Sequence, residues 1–197
     1  MANKHATELW KTVAICKRVH LAMRFVDNKI KKVLTSLIKK EVEGKCLSHG
    51  YVKRESVTIE SISAGLLKAG DVAFDVVFTC EVCLPMHGQP LTCVVKSRTA
   101  AGLRAEVEIQ GHTPSPIVVF IALDHYINQP NILSFIKGEE AADGKEIEVK
   151  VIGQRFQLND NQIRVIAELN IAENVLPTED QYDAIALGGG RKRKVLL

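Results

Sequence analysis

The sequence of 197 residues has no apolar run of the roughly 18 to 20 residues that a membrane-spanning helix requires. Its first residues, MANKHATELWK, also lack the apolar stretch of a secretory signal. With 46% hydrophobic and 25% charged residues, the composition is that of ordinary globular proteins. We therefore expect a folded, intracellular protein that has no membrane partner.

Motifs of catalysis are also missing from the sequence. It contains no phosphate-cradling G-x-x-x-x-G-K-S/T, no H-E-x-x-H, no G-x-S-x-G and no carboxylate cluster suited to two metals. A triple glycine at residues 188–190 precedes a basic run at the terminus, whereas a phosphate loop would precede a helix. We therefore expect no enzyme activity and no cofactor.

The cysteines are few and odd in number: Cys16, Cys46, Cys80, Cys83 and Cys93. Most of them lie inside apolar, strand-like runs, which favours buried reduced thiols over a disulfide framework. A reducing compartment follows from this interpretation.

A spacing of Cys80-x2-Cys83-x3-His87-x5-Cys93 resembles a small zinc knuckle. In an extended strand, however, residues three apart point to opposite faces, so Cys80 and Cys83 could share a metal only if the apolar alternation around them were broken. The same geometry disfavours a redox C-x-x-C, which normally opens a helix. The sequence predicts strand cysteines and no metal site.

A strong basic surplus is absent as well. The net charge is +3, with 14 Lys and Arg against 9 Asp and Glu in residues 1–84, 8 against 10 in residues 85–170, and 4 against 4 in residues 171–197. A protein that grips duplex nucleic acid alone normally carries a larger positive charge, because phosphate neutralisation dominates that affinity. Any nucleic-acid binding should be weak and assisted.

Residues 1–84 predict a βαβββ domain. A β-branched run at residues 12–23 favours a first strand, and apolar residues from Ile30 to Val42 recur at the three-and-four spacing of a helix face. Asp27 or Asn28 can cap that helix, and Gly44 can end it. Three strand-like runs follow, at residues 46–53, 56–62 and 72–84.

Pro85 and Gly88 break the last of these strands and mark a candidate domain boundary. Residues 85–170 then contain five short strand-like runs, with a helix or loop at residues 124–138 between the third and the fourth. The five runs cover residues 91–96, 102–109, 117–123, 146–155 and 163–169. This pattern is typical of an OB-fold barrel. The fold class is therefore α+β: a ribonucleoprotein-like tip domain followed by a five-stranded OB barrel.

Residues 171–197 contain Pro177, the triple glycine and the basic run at residues 191–194, and we expect a flexible tail. The basic run fits a nuclear import signal or a transient RNA contact, and it fits a solubilising tail at least as well.

The run EVEGKC at residues 41–46, at a helix-to-strand junction, resembles the signature of the RNA polymerase stalk subunit family. This family includes an archaeal branch and the seventh subunit of eukaryotic RNA polymerase II. The run ISAGLL at residues 62–67 resembles the tip loop of the family. Three further runs resemble its OB half, which is of the ribosomal-protein S-one type: AGLRAE at 101–106, VKVIGQR at 149–155 and RVIAEL at 164–169. The resemblance covers about residues 13–170.

The resemblance implies a non-catalytic stalk subunit that docks on the polymerase core near the clamp and contacts nascent single-stranded RNA. Its partners would be the largest core subunits and a small clamp-proximal subunit, and a companion stalk subunit stays an open question. The implied core-docking residues are Phe25, Val26, Asp27, Ser63, Ala64, Gly65 and Leu66. The implied RNA-binding residues are Lys96, Arg98, Arg104, Phe120, His125, Tyr126 and Arg155.

Several of these assignments have alternatives. Lys96, Arg98 and Arg104 could form one basic cluster, although the family commonly has an aromatic residue at the position of Arg104. A guanidinium plane can also stack on a base. For Phe120, His125 and Tyr126, packing within the barrel or its loops is as reasonable as RNA contact.

The insertion at residues 110–116 and the run VIGQRFQLND resemble diverged stalk subunits of large DNA viruses. The expected location is the nucleus or, for a viral protein, the host cytoplasm, a viral factory or the virion. The alternative function is a free OB-fold RNA-binding protein of translation or RNA decay, which would have no use for residues 13–84.

Overall fold

The computed structural model describes residues 9–68, 70–138 and 141–170, so the predicted tail at residues 171–197 lies outside the described residues. Within these ranges the chain forms β-strands and two α-helices, which confirms the α+β class. Their bounds are β1 (Trp10–Ala22), α1 (Ile30–Val42), β2 (Cys46–Leu47), β3 (Gly50–Val52), β4 (Thr58–Ile62), β5 (Leu66–Lys68), β6 (Asp71–Cys83), β7 (Pro90–Thr99), β8 (Gly102–Glu106), β9 (Ile117–Ala122), α2 (Pro130–Lys137), β10 (Glu146–Arg155) and β11 (Ile163–Leu169).

The first sheet is built around β6. This strand pairs along its whole length with β1 on one side, and with β3, β4 and β5 on the other, and all of these pairings are antiparallel. β6 can be central because most of its buried residues alternate with half-exposed ones, so that one face packs in the core while neighbouring strands cover both its edges. Its first residue, Asp71, and its last, Cys83, lie about 40 Å apart at the usual rise of a strand.

Helix α1 covers one face of this sheet. Leu34, Ile38 and Val42 recur every four residues on one side of the helix and are fully buried against the sheet. The predicted end of the helix is confirmed, because Gly44 follows it with φ of +75°. The predicted cap is wrong: Lys29 precedes the first helical residue and no side chain caps the helix, although Asp27 Oδ1 accepts the amide hydrogen of Lys29 at 2.8 Å.

The strand prediction for the first half needs two corrections. The run at residues 46–53 is a hairpin of two short strands, β2 and β3, because the polar pair Ser48 and His49 turns the chain between them. β5 falls at the end of the predicted tip loop, where Leu66 pairs with Ala73 of β6. The first half therefore has more strands than βαβββ.

The second sheet is a closed barrel in the order β10-β11-β9-β8-β7. Neighbouring strands are antiparallel except β9 and β11, which are parallel, and α2 lies between the third and the fourth barrel strand. This is the arrangement of an OB fold. The alternation of buried and exposed residues in β11, which the sequence shows as IRVIAEL, directs every second side chain into the barrel core.

The two sheets meet in a shared core. Tyr51 and Cys83 of the first sheet pack in the same buried cluster as the barrel residues. The ring of Trp10 lies 5.4 Å from that of His112, whose Nδ1 is buried without a hydrogen-bond partner among the described residues. Burial, followed by the charges of Arg54 and Lys53, lowers the pKa of His112. Because the sheets share this core, the division into residues 1–84 and 85–170 stays a prediction.

The strand geometry predicted for the cysteines is confirmed. Cys80 packs in the core beneath α1, whereas Cys83 packs in the barrel cluster, so the two thiols lie in different cores. Burial raises the pKa of Cys80 to about 11 and that of Cys83 to about 12. The prediction of buried thiols is wrong for Cys16, which is exposed because it lies on the face of β1 that α1 does not cover.

The described part of the chain lacks two further kinds of feature. None of its helices has the length and apolarity to cross a membrane. No group of three or more His, Cys, Asp and Glu side chains in residues 9–68, 70–138 and 141–170 is arranged to hold a metal ion.

Candidate docking and nucleic-acid interfaces

Both segments predicted to dock on a polymerase core lie at one end of the first sheet. Ala22, the last residue of β1, pairs with Asp71 of β6, and Lys68 of β5 pairs with the same Asp71 from the other side. Residues 25–27 follow Ala22, and residues 63–66 lead into β5. The fold therefore brings the two segments to the same end of the first sheet.

This end carries an unusual amount of exposed apolar surface. Five large apolar side chains, which we call the tip surface, are 39–69% exposed: Met23, Phe25, Val26, Leu66 and Leu67. Exposed apolar patches on folded proteins commonly mark interaction sites. The sequence prediction did not include Met23, two residues before Phe25, or Leu67, which follows Leu66.

Ser63 and Gly65 of the predicted dock have structural roles beside the tip surface. The amide of Ser63 donates a hydrogen bond to the carbonyl of Asp75 at 2.9 Å. In return, Oγ of Ser63 accepts a hydrogen bond from the amide of Asp75, also at 2.9 Å. Gly65 lies so close to β6 that an added Cβ would be 2.5 Å from Cγ1 of Val72 and 2.7 Å from Cε1 of Phe74. Residues 63–65 therefore lie close against β6, while the side chains of Leu66 and Leu67 are exposed to solvent.

On the barrel, three side chains from neighbouring strands form an outward-facing row. Arg104 of β8 pairs with Phe120 of β9, and Phe120 pairs with Ile166 of β11. We call Arg104, Phe120 and Ile166 the outer row; Phe120 is 39% and Ile166 51% exposed. Side chains at such cross-strand positions touch or nearly touch. OB folds bind oligonucleotides on this face, that of the second and third strands.

Arg98 does not join this row. Its Nη1 donates to the carbonyls of Ile136, Lys137 and Gly138 at 3.1, 2.7 and 3.2 Å, and so caps the C-terminal end of α2. In the β7–β8 ladder Arg98 pairs with the buried Leu103, one position away from Arg104 and hence on the other face. A test of RNA contact should therefore leave Arg98 intact.

The predicted basic cluster does not include Arg98, and its other two members, Lys96 and Arg104, each pair with a carboxylate. Lys96 forms an ion pair with Glu108 at 3.1 Å, and Arg104 forms one with Glu106 at 2.8 Å. Lys96 is the extra residue of a bulge in β7, which removes it from the regular alternation of that strand.

Tyr126 and His125 also differ in their surroundings. The Tyr126 side chain is 5% exposed, and its hydroxyl accepts the amide hydrogen of Leu169 at 2.6 Å. Burial raises the pKa of this hydroxyl. The ring of Tyr126 therefore packs in the barrel core, whereas His125, its neighbour in the 3-10 turn Leu123–Tyr126, is exposed.

Arg155 ends β10 directly opposite Arg164 of β11. Both side chains line a cavity of about 190 Å³ together with Phe156, Gln157 and Asp160, which belong to the loop between these strands. In OB folds this loop also adjoins the oligonucleotide-binding face.

Comparison with known proteins identifies the family. No protein-family model matches the chain. The chain is 30% identical over 163 residues to DNA-directed RNA polymerase II subunit RPB7 of Glycine max, an alignment that covers 75% of this chain and 86% of the relative. The chain belongs to the RNA polymerase II subunit 7 family. A second member, subunit 7 of Arabidopsis thaliana, is 30% identical over 158 residues, or 73% of this chain and 83% of the relative.

Membership of the subunit 7 family confirms the resemblance to polymerase stalk subunits and makes the chain an RNA polymerase subunit. Both relatives are plant proteins, so the viral provenance stays a prediction. The sequence analysis did not name Ile166 or Arg164 as candidate residues of the nucleic-acid interface. The alternation within RVIAEL could have identified both as outward-facing positions, since they fall between buried residues.

Proposed function

We propose that the chain is the non-catalytic stalk subunit of its polymerase, which docks on the core near the clamp through the tip surface and contacts nascent single-stranded RNA through the barrel. The observation that carries the proposal is the separation of two surfaces along one strand. β6 begins at the tip surface with Asp71 and ends in the barrel core with Cys83. One protein can therefore hold the core at one end and RNA at the other.

The tip surface supports the docking half of this proposal. Its five apolar side chains are exposed in the isolated chain, and their burial against the largest subunits and a small clamp-proximal subunit would remove apolar area from water. Such burial contributes about 25 cal/mol for each Å² of apolar surface. The names of the two relatives favour a nuclear, intracellular location for this assembly.

The outer row supports the RNA half. Phe120 offers an exposed ring, and Arg104 beside it offers a guanidinium plane, the two kinds of group on which unpaired bases stack. Residues 85–170 carry 8 basic against 10 acidic side chains, so few phosphates can be neutralised and the affinity should be weak. Tethering to a transcribing core raises the effective RNA concentration, which makes weak affinity sufficient.

Replacing Phe120 by Ala tests this assignment. Stacking on an aromatic side chain contributes about 1–3 kcal/mol per base, so we expect Phe120→Ala to weaken single-stranded RNA binding about five- to a hundredfold. Binding is measured by fluorescence anisotropy with the isolated chain, and RNA contact by crosslinking in an assembled elongation complex.

Phe25 provides the matched control, because it is also an exposed phenylalanine, at 47% against 39% for Phe120, and lies on the tip surface. Phe25→Ala should leave RNA binding unchanged, and Phe120→Ala should leave association with the core unchanged. If both variants bind RNA as the wild type does, or if the transcript crosslinks only to the tip, the RNA contact is not on this face of the barrel.

A further inference from the structure

The ladder between β10 and β11 contains two charged cross-strand pairs of opposite kinds. Lys150 pairs with Glu168, and their side chains form an ion pair at 3.9 Å. Arg155 pairs with Arg164, so two like charges are placed directly opposite each other. Opposite charges in such positions stabilise an antiparallel pair of strands, whereas like charges destabilise it. An anion bound between the two arginines would therefore relieve a repulsion that the Lys150–Glu168 pair does not have.

A bulge in β10 creates this pairing. Val151 pairs with Ala167 and Gly153 with Ile166, so Ile152 is an extra residue in β10. Without it, the register would place Arg155 opposite the buried Ile163, on the inner side of the barrel. Bulges commonly re-aim a side chain next to a functional site. Here the bulge turns Arg155 outward to meet Arg164.

No carboxylate in the described part of the chain forms a salt bridge with either arginine. Asp160 lines the same cavity, but its Oδ2 accepts the amide hydrogen of Gln157 at 2.9 Å, which stabilises the turn of the loop. The charges within the cavity, two positive and one negative, leave a net positive site.

The wall of the cavity is held in place from outside the barrel. The amide of Cys46, in the first sheet, donates a hydrogen bond to the carbonyl of Asp160 at 2.8 Å. The carbonyl of Cys46 accepts a hydrogen bond from the amide of Asn159 at 2.9 Å. Phe156, at the start of the loop, packs against the barrel core. The loop between β10 and β11 therefore does not have to be ordered by a ligand, which reduces the entropy cost of binding.

We propose that Arg155 and Arg164 form a phosphate-binding subsite that takes a phosphate group of single-stranded RNA. Two guanidinium groups converging on one cavity can each bind phosphate oxygens through paired N–H donors. Arg164 precedes Ile166 of the outer row by two residues on the same face, about 6.6 Å along the strand. A phosphate in the cavity thus lies next to the surface where Phe120 can stack a base. The identity of the ligand rests on the proposed RNA contact, whereas the subsite itself can be tested without RNA.

Binding to the isolated chain tests the subsite with three probes: inorganic tripolyphosphate, a single-stranded RNA oligonucleotide with a 5′-hydroxyl end, and the same oligonucleotide with a 5′-triphosphate. Arg164→Gln removes a set of charge-assisted hydrogen bonds, so we expect about tenfold weaker binding. Asp160→Asn removes the negative charge from the cavity and keeps an oxygen for the Gln157 amide, so we expect tighter binding.

Lys150→Gln is the matched control, since it removes one positive charge from the same strand pair outside the cavity. It should bind all three probes as the wild type does. Arg164→Gln also removes the like-charge repulsion, so it should unfold at a temperature no lower than that of the wild type. Both expectations separate a defined site from general charge and from misfolding.

The probes also identify the source of the phosphate. Equal losses by Arg164→Gln with both oligonucleotides indicate an internal phosphodiester, and a loss confined to the triphosphate probes indicates the 5′ end of a transcript. If Arg164→Gln binds every probe as the wild type does, or if Lys150→Gln loses as much, the subsite is refuted. A wild-type chain that binds tripolyphosphate but neither oligonucleotide would refute the RNA contact and leave the anion site standing.

Discussion

Replacing both Leu66 and Leu67 by Asp will release the chain from the polymerase core and leave its fold intact. The two side chains are 63% and 69% exposed, so the isolated chain loses little by their replacement. In the docked state, two carboxylates would have to leave water without partners, which costs at least several kcal/mol. We therefore expect association with the core to fall by more than about a hundredfold. Reconstitution with purified core and gel filtration measures this loss.

Leu158 provides the matched control for this variant. It is 68% exposed and lies on the barrel loop between β10 and β11, far from the tip surface. Leu158→Asp should dock as the wild type does, and thermal unfolding should be similar for both variants. Normal docking by the Leu66→Asp, Leu67→Asp protein would show that the tip surface is not the dock.

The largest effect on stability should come from Gly102→Ala, at the start of β8. A Cβ at this position would lie 2.0 Å from the carbonyl oxygen of Ile121, and the backbone has φ of +149°, which side chains rarely tolerate. The carbonyl of Ile121 belongs to β9 and the backbone of Gly102 to β8, and these strands are paired. Neither can adjust to the new side chain without disturbing the pairing of β8 with β9. We expect a loss of about 3 kcal/mol in the free energy of unfolding, measured by urea denaturation.

Gly153→Ala is the control for this substitution. Gly153 also lies in a barrel strand, but an added Cβ would have no neighbour within 4 Å, and its φ is not positive. We expect a change within about 0.5 kcal/mol of the wild type. If both alanine variants unfold at the same urea concentration as the wild type, β8 and β9 do not approach each other at Gly102 as closely as described.

Much of this fold could be predicted because local patterns determine it. The period-two alternation that locates β11 and the three-and-four spacing that locates α1 both follow from one face being buried. The β2–β3 hairpin was missed because Ser48 and His49 are not the residues that usually mark a two-residue turn. β5 was missed because a strand of three residues is too short to show a period.

The candidate interfaces were harder to predict, because they depend on contacts between distant segments. Arg98 looks like any exposed strand arginine in the sequence, and only the position of α2 shows that it caps a helix. In the sequence, Tyr126 fits RNA contact as well as it fits packing in the barrel. Only the structure shows that its hydroxyl accepts a hydrogen bond from the amide of Leu169 and that its ring is buried. The pairing of Arg155 with Arg164 depends on a bulge that shifts the register by one residue, and an isolated strand glycine such as Gly153 indicates a bulge without showing which residue is extra.

Quantitative purification of a tagged chain from its native cell is the most direct test of the central claim, that the protein is a polymerase stalk subunit. We expect the two largest polymerase subunits to co-purify with the chain in about equal amounts, and the combined Leu66→Asp and Leu67→Asp substitutions to abolish their recovery. Recovery of ribosomes or RNA decay factors without polymerase would contradict the claim and favour a free OB-fold RNA-binding protein.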